Sequence, residues 1–248
     1  MNLLSQPPDS WDASGVFETC RVRNGKILHQ KEHLERLRFS MKTAGLVSSS
    51  KKMESLFIRA AKETKEGYVR LAVRRYGPKR EIIHKQPGIP YSKEILRAGV
   101  SVKTVAARWP GRDTMGAQSK SSERLSHILA KMESGDSFEV LRIGAHGYLT
   151  EGLVSNFFLV KERVLKTSPS WLGVLAGVTR SRVLEAARRQ KIAVQEIPTT
   201  RHDLFNADEA FLTNVLMEIC PIREVDGRSI GLAVPGPVTK LLAERLKK

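Results

Sequence analysis

The sequence predicts an α+β protein of two domains, a small mixed unit followed by a larger, strand-rich one. Three observations carry this prediction. An Asn-Gly pair interrupts an alternating segment near the start, which marks a β-hairpin, and segments with helical and then strand periods follow it. Pro87, Gly88 and Pro90 break both periods within "QPGIPYSKE", which divides residues 1–90 from 91–248. Beyond that break short apolar strands dominate. The length of 248 residues also suits two cores, since domains run to roughly 100–200 residues.

In the first domain "GVFETCRVRNGKILHQ" alternates over Val16–Val22, turns at Asn24-Gly25 and resumes at Ile27. Asn-Gly accepts the positive φ angles of a type I′ turn. One strand face carries Val16, Glu18, Cys20 and Val22; the other carries Phe17, Thr19 and Arg21. "EHLERLRFSMKTAGL" sets Leu34, Leu37, Met41 and Ala44 on one helical face and stops at Gly45. A second helix covers residues 51–64, and "GYVRLAVRRYG" and "REIIHKQ" read as paired strands. The second domain opens with strand "GVSVKTVAA", a loop, and a helix at Leu125–Met132. Strands "FEVLRIG", "YLTEG" and "NFFLVKE" come next, then a short strand at Val164–Lys166 and helix "TRSRVLEAARRQ". Strand "IAVQEIP", a short helix near His202–Asn206, strand "EAFLTN", a turn and the helix "PGPVTKLLAERLKK" complete the order.

Composition narrows the classes of function. No run approaches the roughly 18 apolar residues of a membrane span, and "MNLLSQPPDSWDAS" lacks the basic start and long apolar centre of a signal peptide. A cytoplasmic protein without a membrane partner is expected. Cys20 and Cys220 lie in apolar segments without metal-ligand spacing, which reads as two buried thiols and no metal site. The formal charge of +16 is spread from Arg21 to Lys248, and no zinc spacing or other nucleic-acid signature accompanies it. No dedicated nucleic-acid partner is expected. Part of the surplus suits a phosphorylated cofactor and a small anionic substrate.

Three segments of the second half hold candidate chemistry. Lys120, in "DTMGAQSKSSERLSHILAKME", stands among Gly116, Ser119, Ser121 and Ser122, which present no bulky obstacle to a ligand. Such a lysine is ordinarily solvated; it becomes a nucleophile and base when desolvation or nearby positive charge lowers its pKa. "YLTEGLVSNFFLV" puts Glu151 at a strand end beside Gly152, with Ser155 and Asn156 opening the next strand, so this is either a polar turn or a carboxylate at the base of a cleft. "LAGVTRSRVLEAARR" opens a helix, with Gly177 allowing close backbone approach and Thr179 or Ser181 available as cap. Its free N–H groups and dipole suit a phosphate, although ordinary capped helices look the same. A Schiff-base lysine, a carboxylate for a ring nitrogen and a phosphate cradle are together what a pyridoxal 5′-phosphate site requires.

In the same order, "GVFETCRVRNGKI", "EHLERL", "KSSERLSHILAK", "GYLTEGLVSNFFLV", "LGVLAGVTR" and "EAFLTNVLMEICPI" resemble the motifs of the fold-type IV pyridoxal-phosphate enzymes, over residues 15–225. That family includes branched-chain and D-amino-acid aminotransferases and 4-amino-4-deoxychorismate lyase. The resemblance implies a D-amino-acid aminotransferase-like fold, the cofactor held between the domains, and a homodimer whose pockets are completed at the subunit interface. Position by position it implies that Lys120 forms the internal aldimine with the cofactor and moves protons. Glu151 pairs with the pyridinium nitrogen, with Asn156 beside it. Arg36, the Val178–Thr179 turn and the segment around Asn214 and Val215 hold the phosphate, and Leu175 packs on the ring. Taken alone, Arg36 reads as a solvated helix arginine.

Two positions depart from the family pattern. Where the family has Asn three residues after the lysine, this chain has Glu123, which either alters the lysine's pKa or caps the helix. The strand and turn that precede "GVFET" are reduced to "MNLLSQPPDSWDAS", so part of the substrate pocket or dimer surface is expected to differ. "FLTNVLMEICPI" is closer to the lyase pattern, with Thr-Asn and a Leu-Met pair where aminotransferases carry small residues. The predicted reaction is conversion of 4-amino-4-deoxychorismate to 4-aminobenzoate and pyruvate. The alternative is transamination of D-amino acids or branched-chain amino acids. Arg75, in "VRRYG", is the candidate for a substrate carboxylate, with Phe17, Thr19 and Arg21 on the pocket side of the first strand. Strand alternation lets only one of Arg74 and Arg75 point inward, and spacing does not choose between them.

Overall fold

A computed structural model describes residues 15–76, 79–106, 119–121, 125–144 and 146–247, with the backbone alone at 125–128. The chain divides into two units. The first takes the residues up to Pro90 and, from further along, the lysine segment Ser119–Ser121; the second takes the rest. The lysine therefore belongs to the smaller unit, although its place in the sequence put it in the larger one. Gly116, Ser122, Glu123 and the segment before Gly15 lie outside the described residues.

The first unit is a four-stranded antiparallel sheet in the order β2 (Lys26–Ile27), β1 (Gly15–Arg23), β3 (Gly67–Arg74), β4 (Glu81–Pro87). Helices α1 (Gln30–Thr43) and α2 (Ser50–Thr64) supply its core partners. Asn24 and Gly25 adopt φ of 51° and 69°, as the tight hairpin demands. The alternation of β1 sends Val16, Cys20 and Val22 into a cluster with Leu37 and Met41 of α1 and Met53 and Phe57 of α2. Each large apolar side chain so buried stabilises the unit by about 1.5–3 kcal/mol. Glu18 sits on this same buried face, which sets up the first of two buried ion pairs. Ser121 forms a bridge with Val16, so the lysine segment runs against β1.

The second unit carries a sheet in the order β10 (Val194–Glu196), β9 (Val164–Thr167), β8 (Asn156–Lys161), β11 (Glu209–Asn214), β12 (Glu218–Val225), β5 (Val100–Val105), β6 (Glu139–Ile143), β7 (Leu149–Gly152). A ninth strand, β13 (Arg228–Ser229), pairs with β12. Its helices are α3 (Lys93–Ala98), α4 (Leu125–Ser134), α5 (Val178–Arg189), α6 (Arg201–Phe205) and α7 (Pro237–Leu246). Strand β8 is buried on both faces. Phe157 joins a cluster with Leu141, Leu149, Leu212 and Ile222, while Phe158 joins another with Phe211, Val183, Leu184 and Leu242. That explains the unbroken apolar run "NFFLV", since a strand covered on both sides has no polar face to alternate. Both cysteines are buried thiols.

Two elements depart from the sequence reading. Helix α3 begins inside the supposed linker, where Ser92 caps it by accepting from the Ile95 N–H at 3.2 Å. Strand β12 occupies what reads as turn and coil, because Glu218 starts it at a positive φ of 57° and Pro221 stands within it opposite Phe211. Among the described residues no helix is long and apolar enough to cross a membrane.

Candidate active site

In the first unit the backbone of Lys120 is pinned at both ends of its peptide. Its N–H donates to Ser40 Oγ at 3.2 Å, and its carbonyl accepts from the Phe17 N–H at 2.9 Å. The Lys120 ammonium stands 5.0 Å from the centre of the Phe17 ring. Arg70 approaches the same ring, with its guanidinium carbon 4.9 Å from the centroid, and Arg70 Nε donates to Thr19 Oγ1 at 3.2 Å. Strand register explains the grouping. Thr19 lies opposite Arg70, Phe17 opposite Ala72 and Arg21 opposite Tyr68, so these side chains share one face of the sheet. Phe17, Thr19 and Lys120 are thus brought together, with Arg21 on the same face.

Arg75 is not part of that group. It follows the last residue of β3, is exposed, and donates from Nη2 to the Ala44 carbonyl at the end of α1. Arg74, opposite Gly15 and in phase with Arg70, shares the Phe17 face instead. Sequence reading passed over Arg70, yet its even spacing from Tyr68 and Ala72, combined with the Thr19 register, was the signal that identifies it.

Arg36 of α1 grips Glu18 of β1 with two bonds, Nε to Oε2 at 2.8 Å and Nη2 to Oε1 at 2.6 Å. His33 Nδ1 stands 3.2 Å from the same Oε1. Burial by itself pushes the Glu18 carboxyl up, but Arg36 and His33 outweigh it and hold the group well below the usual carboxylate range. A guanidinium carries five N–H donors, and Glu18 takes two of them.

In the second unit Glu151 lies on β7 in a buried network. Its Oε2 accepts from Asn156 Nδ2 at 2.9 Å and from the Leu175 N–H at 3.0 Å, and its Oε1 accepts from Arg142 Nη2 at 3.0 Å. Asn156 Nδ2 also donates to the Leu175 carbonyl at 2.9 Å, so Glu151, Asn156 and the segment before α5 form one unit of structure. Beneath it Glu139 of β6 holds the β7–β8 turn, accepting from the Leu153 and Val154 N–H groups and from Ser155 Oγ. Burial raises the Glu139 carboxyl above its ordinary range, against the pull of those bonds.

Helix α5 starts without a side-chain cap. Gly177 is its N-cap, at φ −69° and ψ 132°, and neither Thr179 nor Ser181 takes that place. A Cβ built on Gly177 would overlap Asn156 Oδ1, so glycine is required by close approach rather than by turn geometry. Val178 and Thr179 form the first turn, where helix N–H groups lack intrahelical partners. Asn214 ends β11, and its Oδ1 accepts from the Leu216 and Met217 N–H groups at 2.9 Å. Its Nδ2 reaches the Val154 carbonyl at 3.3 Å, tying the β11–β12 turn, which includes Val215, to the β7–β8 turn.

Comparison with known proteins places the chain in a family. The profile of the amino-transferase class IV family matches residues 15–225. The chain belongs to the class IV aminotransferase family. It is 32% identical over 247 residues to a putative branched-chain-amino-acid aminotransferase of Methanocaldococcus jannaschii, covering 94% of this chain and 86% of that one. Similarity to the D-alanine aminotransferase of Bacillus licheniformis is 29% over 248 residues, covering 91% and 84%. Among solved structures, the 4-amino-4-deoxychorismate lyase of Pseudomonas aeruginosa superimposes with a TM-score of 0.85 at 25% identity, over 95% of this chain and 90% of that one.

Class IV aminotransferases carry pyridoxal 5′-phosphate, and the residues present here fit it. Glu151 is a buried carboxylate with hydrogen bonds on both oxygens, the donor set a protonated ring nitrogen can join. The uncapped start of α5, entered through a glycine with no room for a side chain, suits a phosphate. Lys120 stands on a backbone fixed by two hydrogen bonds.

Proposed function

We propose that this class IV enzyme is a lyase that converts 4-amino-4-deoxychorismate into 4-aminobenzoate and pyruvate. The observation that carries the reading is the β11–β12 turn. Its Thr213-Asn214 and Leu216-Met217 pairs follow the lyase pattern, and Asn214 closes it on the N–H groups of Leu216 and Met217. Both of those apolar side chains are buried, Met217 in the main core of the unit. The likeness to the Pseudomonas aeruginosa lyase over 95% of this chain supports the same reading.

When bound, pyridoxal 5′-phosphate supplies an electron sink for the charge left on a carbon that loses its proton. In this proposal Lys120 would hold the cofactor through Nζ and, when free of it, would receive and return the substrate's proton at the same atom. Glu151, held by Asn156, Arg142 and the Leu175 N–H, keeps the ring nitrogen protonated, while Leu175 packs on the ring. Arg36, the first turn of α5 at Val178 and Thr179, and the Asn214–Val215 turn bind the phosphate. Arg70, with Thr19 as its hydrogen-bond partner, anchors a substrate carboxylate in the role first given to Arg75, and Phe17 and Arg21 complete that wall. The two products together contain every atom of the substrate, so no second substrate is needed.

A second reading, transamination of branched-chain or D-amino acids, is favoured by the aminotransferase names of relatives that span more than nine-tenths of this chain. Transamination needs a keto-acid acceptor, and that requirement separates the two. Purified enzyme given 4-amino-4-deoxychorismate and no keto acid should release pyruvate and 4-aminobenzoate in equal amounts over many turnovers. If neither appears, and a branched-chain amino acid or D-alanine converts the cofactor to its amine form, the second reading holds.

A further inference from the structure

Arg142 enters the roles above as a hydrogen-bond partner of Glu151. It lies on β6 with only 1% of its side chain exposed, and it donates from Nη2 to Glu151 Oε1 at 3.0 Å and to the Gly152 carbonyl at 3.1 Å. A buried guanidinium is costly unless something requires its charge. Burial pushes it below the usual arginine range, while Glu151 and Glu139 pull it back.

The surroundings of Glu151 show what requires it. Within this unit the Arg142 guanidinium of β6 bonds Glu151, and Glu139, also on β6, acts electrostatically on that guanidinium. From β8 comes the neutral amide of Asn156, and from the segment before α5 the Leu175 N–H. On β12, Cys220 feels Glu139, but burial pushes its thiol up to about 12, so it stays neutral in the working range. Arg180 of α5 is directed elsewhere, to the Ser168 carbonyl and Glu196. Arg142 therefore sets a positive charge 3.0 Å from the Glu151 carboxylate. Without that charge, desolvation would favour the protonated form of a carboxyl so buried.

We propose that Arg142 is a positioning residue that keeps Glu151 an anion, so that the carboxylate available to the cofactor's ring nitrogen is charged across the working pH range. The proposal rests on the reading that Glu151 holds that nitrogen. A neutral acid at Glu151 cannot stabilise a protonated ring, and cofactor affinity would then fall as pH falls. With Arg142 present, that loss is moved to lower pH.

The test is the pH dependence of cofactor affinity, measured by tryptophan-fluorescence quenching with pyridoxal 5′-phosphate on apo-protein from about pH 5.5 to about 8.5, a range that begins above the unperturbed carboxylate pKa of about 4.3. The cofactor's own ionisations are common to every variant and cancel in the comparison. Wild type and Arg142→Lys should give parallel profiles. Arg142→Met and Arg142→Gln should lose affinity toward acid, by about tenfold or more relative to wild type at the lowest pH, as removal of a charge at this range predicts. A uniform loss at all pH values, or profiles identical to wild type, would overturn the proposal, because a merely structural arginine changes affinity without changing its pH dependence. If Arg142→Met does not fold, the Lys and Gln variants carry the comparison. Glu151→Gln separates the two ideas. If it leaves affinity unchanged, the ring-nitrogen reading fails; if it weakens binding while the Arg142 variants keep wild-type profiles, only the role of Arg142 fails.

Discussion

Glu18 and Glu151 are both strand carboxylates paired with a buried or half-buried arginine, yet the two pairs are built differently. Glu18 is fully buried, and Arg36 covers it with two short bonds from a side chain that is 14% exposed. At Glu151 the exposures are reversed: the arginine is sealed and 8% of the glutamate remains exposed. Arg142 reaches it with one nitrogen, and the other bonds come from an amide and a backbone N–H. On the proposed roles, the carboxylate of the first pair would hold the cation for the phosphate, and the cation of the second would hold the carboxylate for the ring nitrogen. In each pair the sealed partner would do the positioning.

The largest effect that sharpens this contrast is on stability at Glu18. Glu18→Gln leaves Arg36 facing a neutral amide, and breaking a buried pair from one side costs about 3–5 kcal/mol. Denaturant unfolding should show that loss at pH 7. The folded pKa of Glu18 is depressed, so its contribution is present above the unfolded carboxylate range and is lost as pH falls toward the folded value. The wild-type minus Glu18→Gln difference should therefore shrink in strong acid, and a pH-independent difference would contradict the ion pair.

Glu151→Gln also breaks a buried pair from one side and should cost a comparable amount, about 3–5 kcal/mol, while cofactor affinity falls by about tenfold or more, the equivalent of roughly 1.4 kcal/mol. A stability loss at Glu151 with cofactor affinity unchanged would erase the distinction drawn here. Gly177→Ala tests whether the neighbourhood of Glu151 is shaped for a ligand. Its Cβ must displace Asn156 from Glu151, so stability should fall by about 1–3 kcal/mol, as overpacking does. Cofactor affinity should weaken in the same variant. The smallest contrast lies between Arg70, midway along β3, and Arg75, just past its end. Arg70→Ala should raise KM by about tenfold or more with kcat less affected, since a hydrogen bond to a charged group contributes about 1.5–3 kcal/mol. Arg75→Ala, exposed and bonded to the end of α1, should shift stability by about 0.5 kcal/mol or less and leave KM alone.

What the sequence made legible follows the same physical lines. Alternation placed Glu18 opposite in face to Phe17 and Thr19, and the Asn-Gly turn fixed the hairpin, because both depend on neighbours in the chain. The ordered motifs identified Lys120, Glu151 and Arg36 as candidates, but not that Arg36 spends two donors on Glu18, or that Ser40 and Phe17 pin the lysine backbone. Those contacts join residues far apart in sequence. Strand β12 stayed hidden because Pro221 removes a ladder donor and normally argues against a central strand. Arg142 was read past for a related reason. In "FEVLRIG" an arginine looks like the polar face of an alternating strand, and its partner Glu151 becomes visible only when β6 and β7 pair.

The central claim is that Lys120 is the residue that bonds the cofactor, and borohydride trapping tests it most directly. Apo-protein incubated with pyridoxal 5′-phosphate, reduced with borohydride, digested and examined by mass spectrometry should carry one phosphopyridoxyl group, on the peptide containing Lys120. Lys120→Ala should carry none there while keeping its melting temperature, since the lysine's contact with Phe17 contributes only about 0.5–1 kcal/mol. A label spread over surface lysines, or one that persists undiminished in Lys120→Ala, would contradict the account.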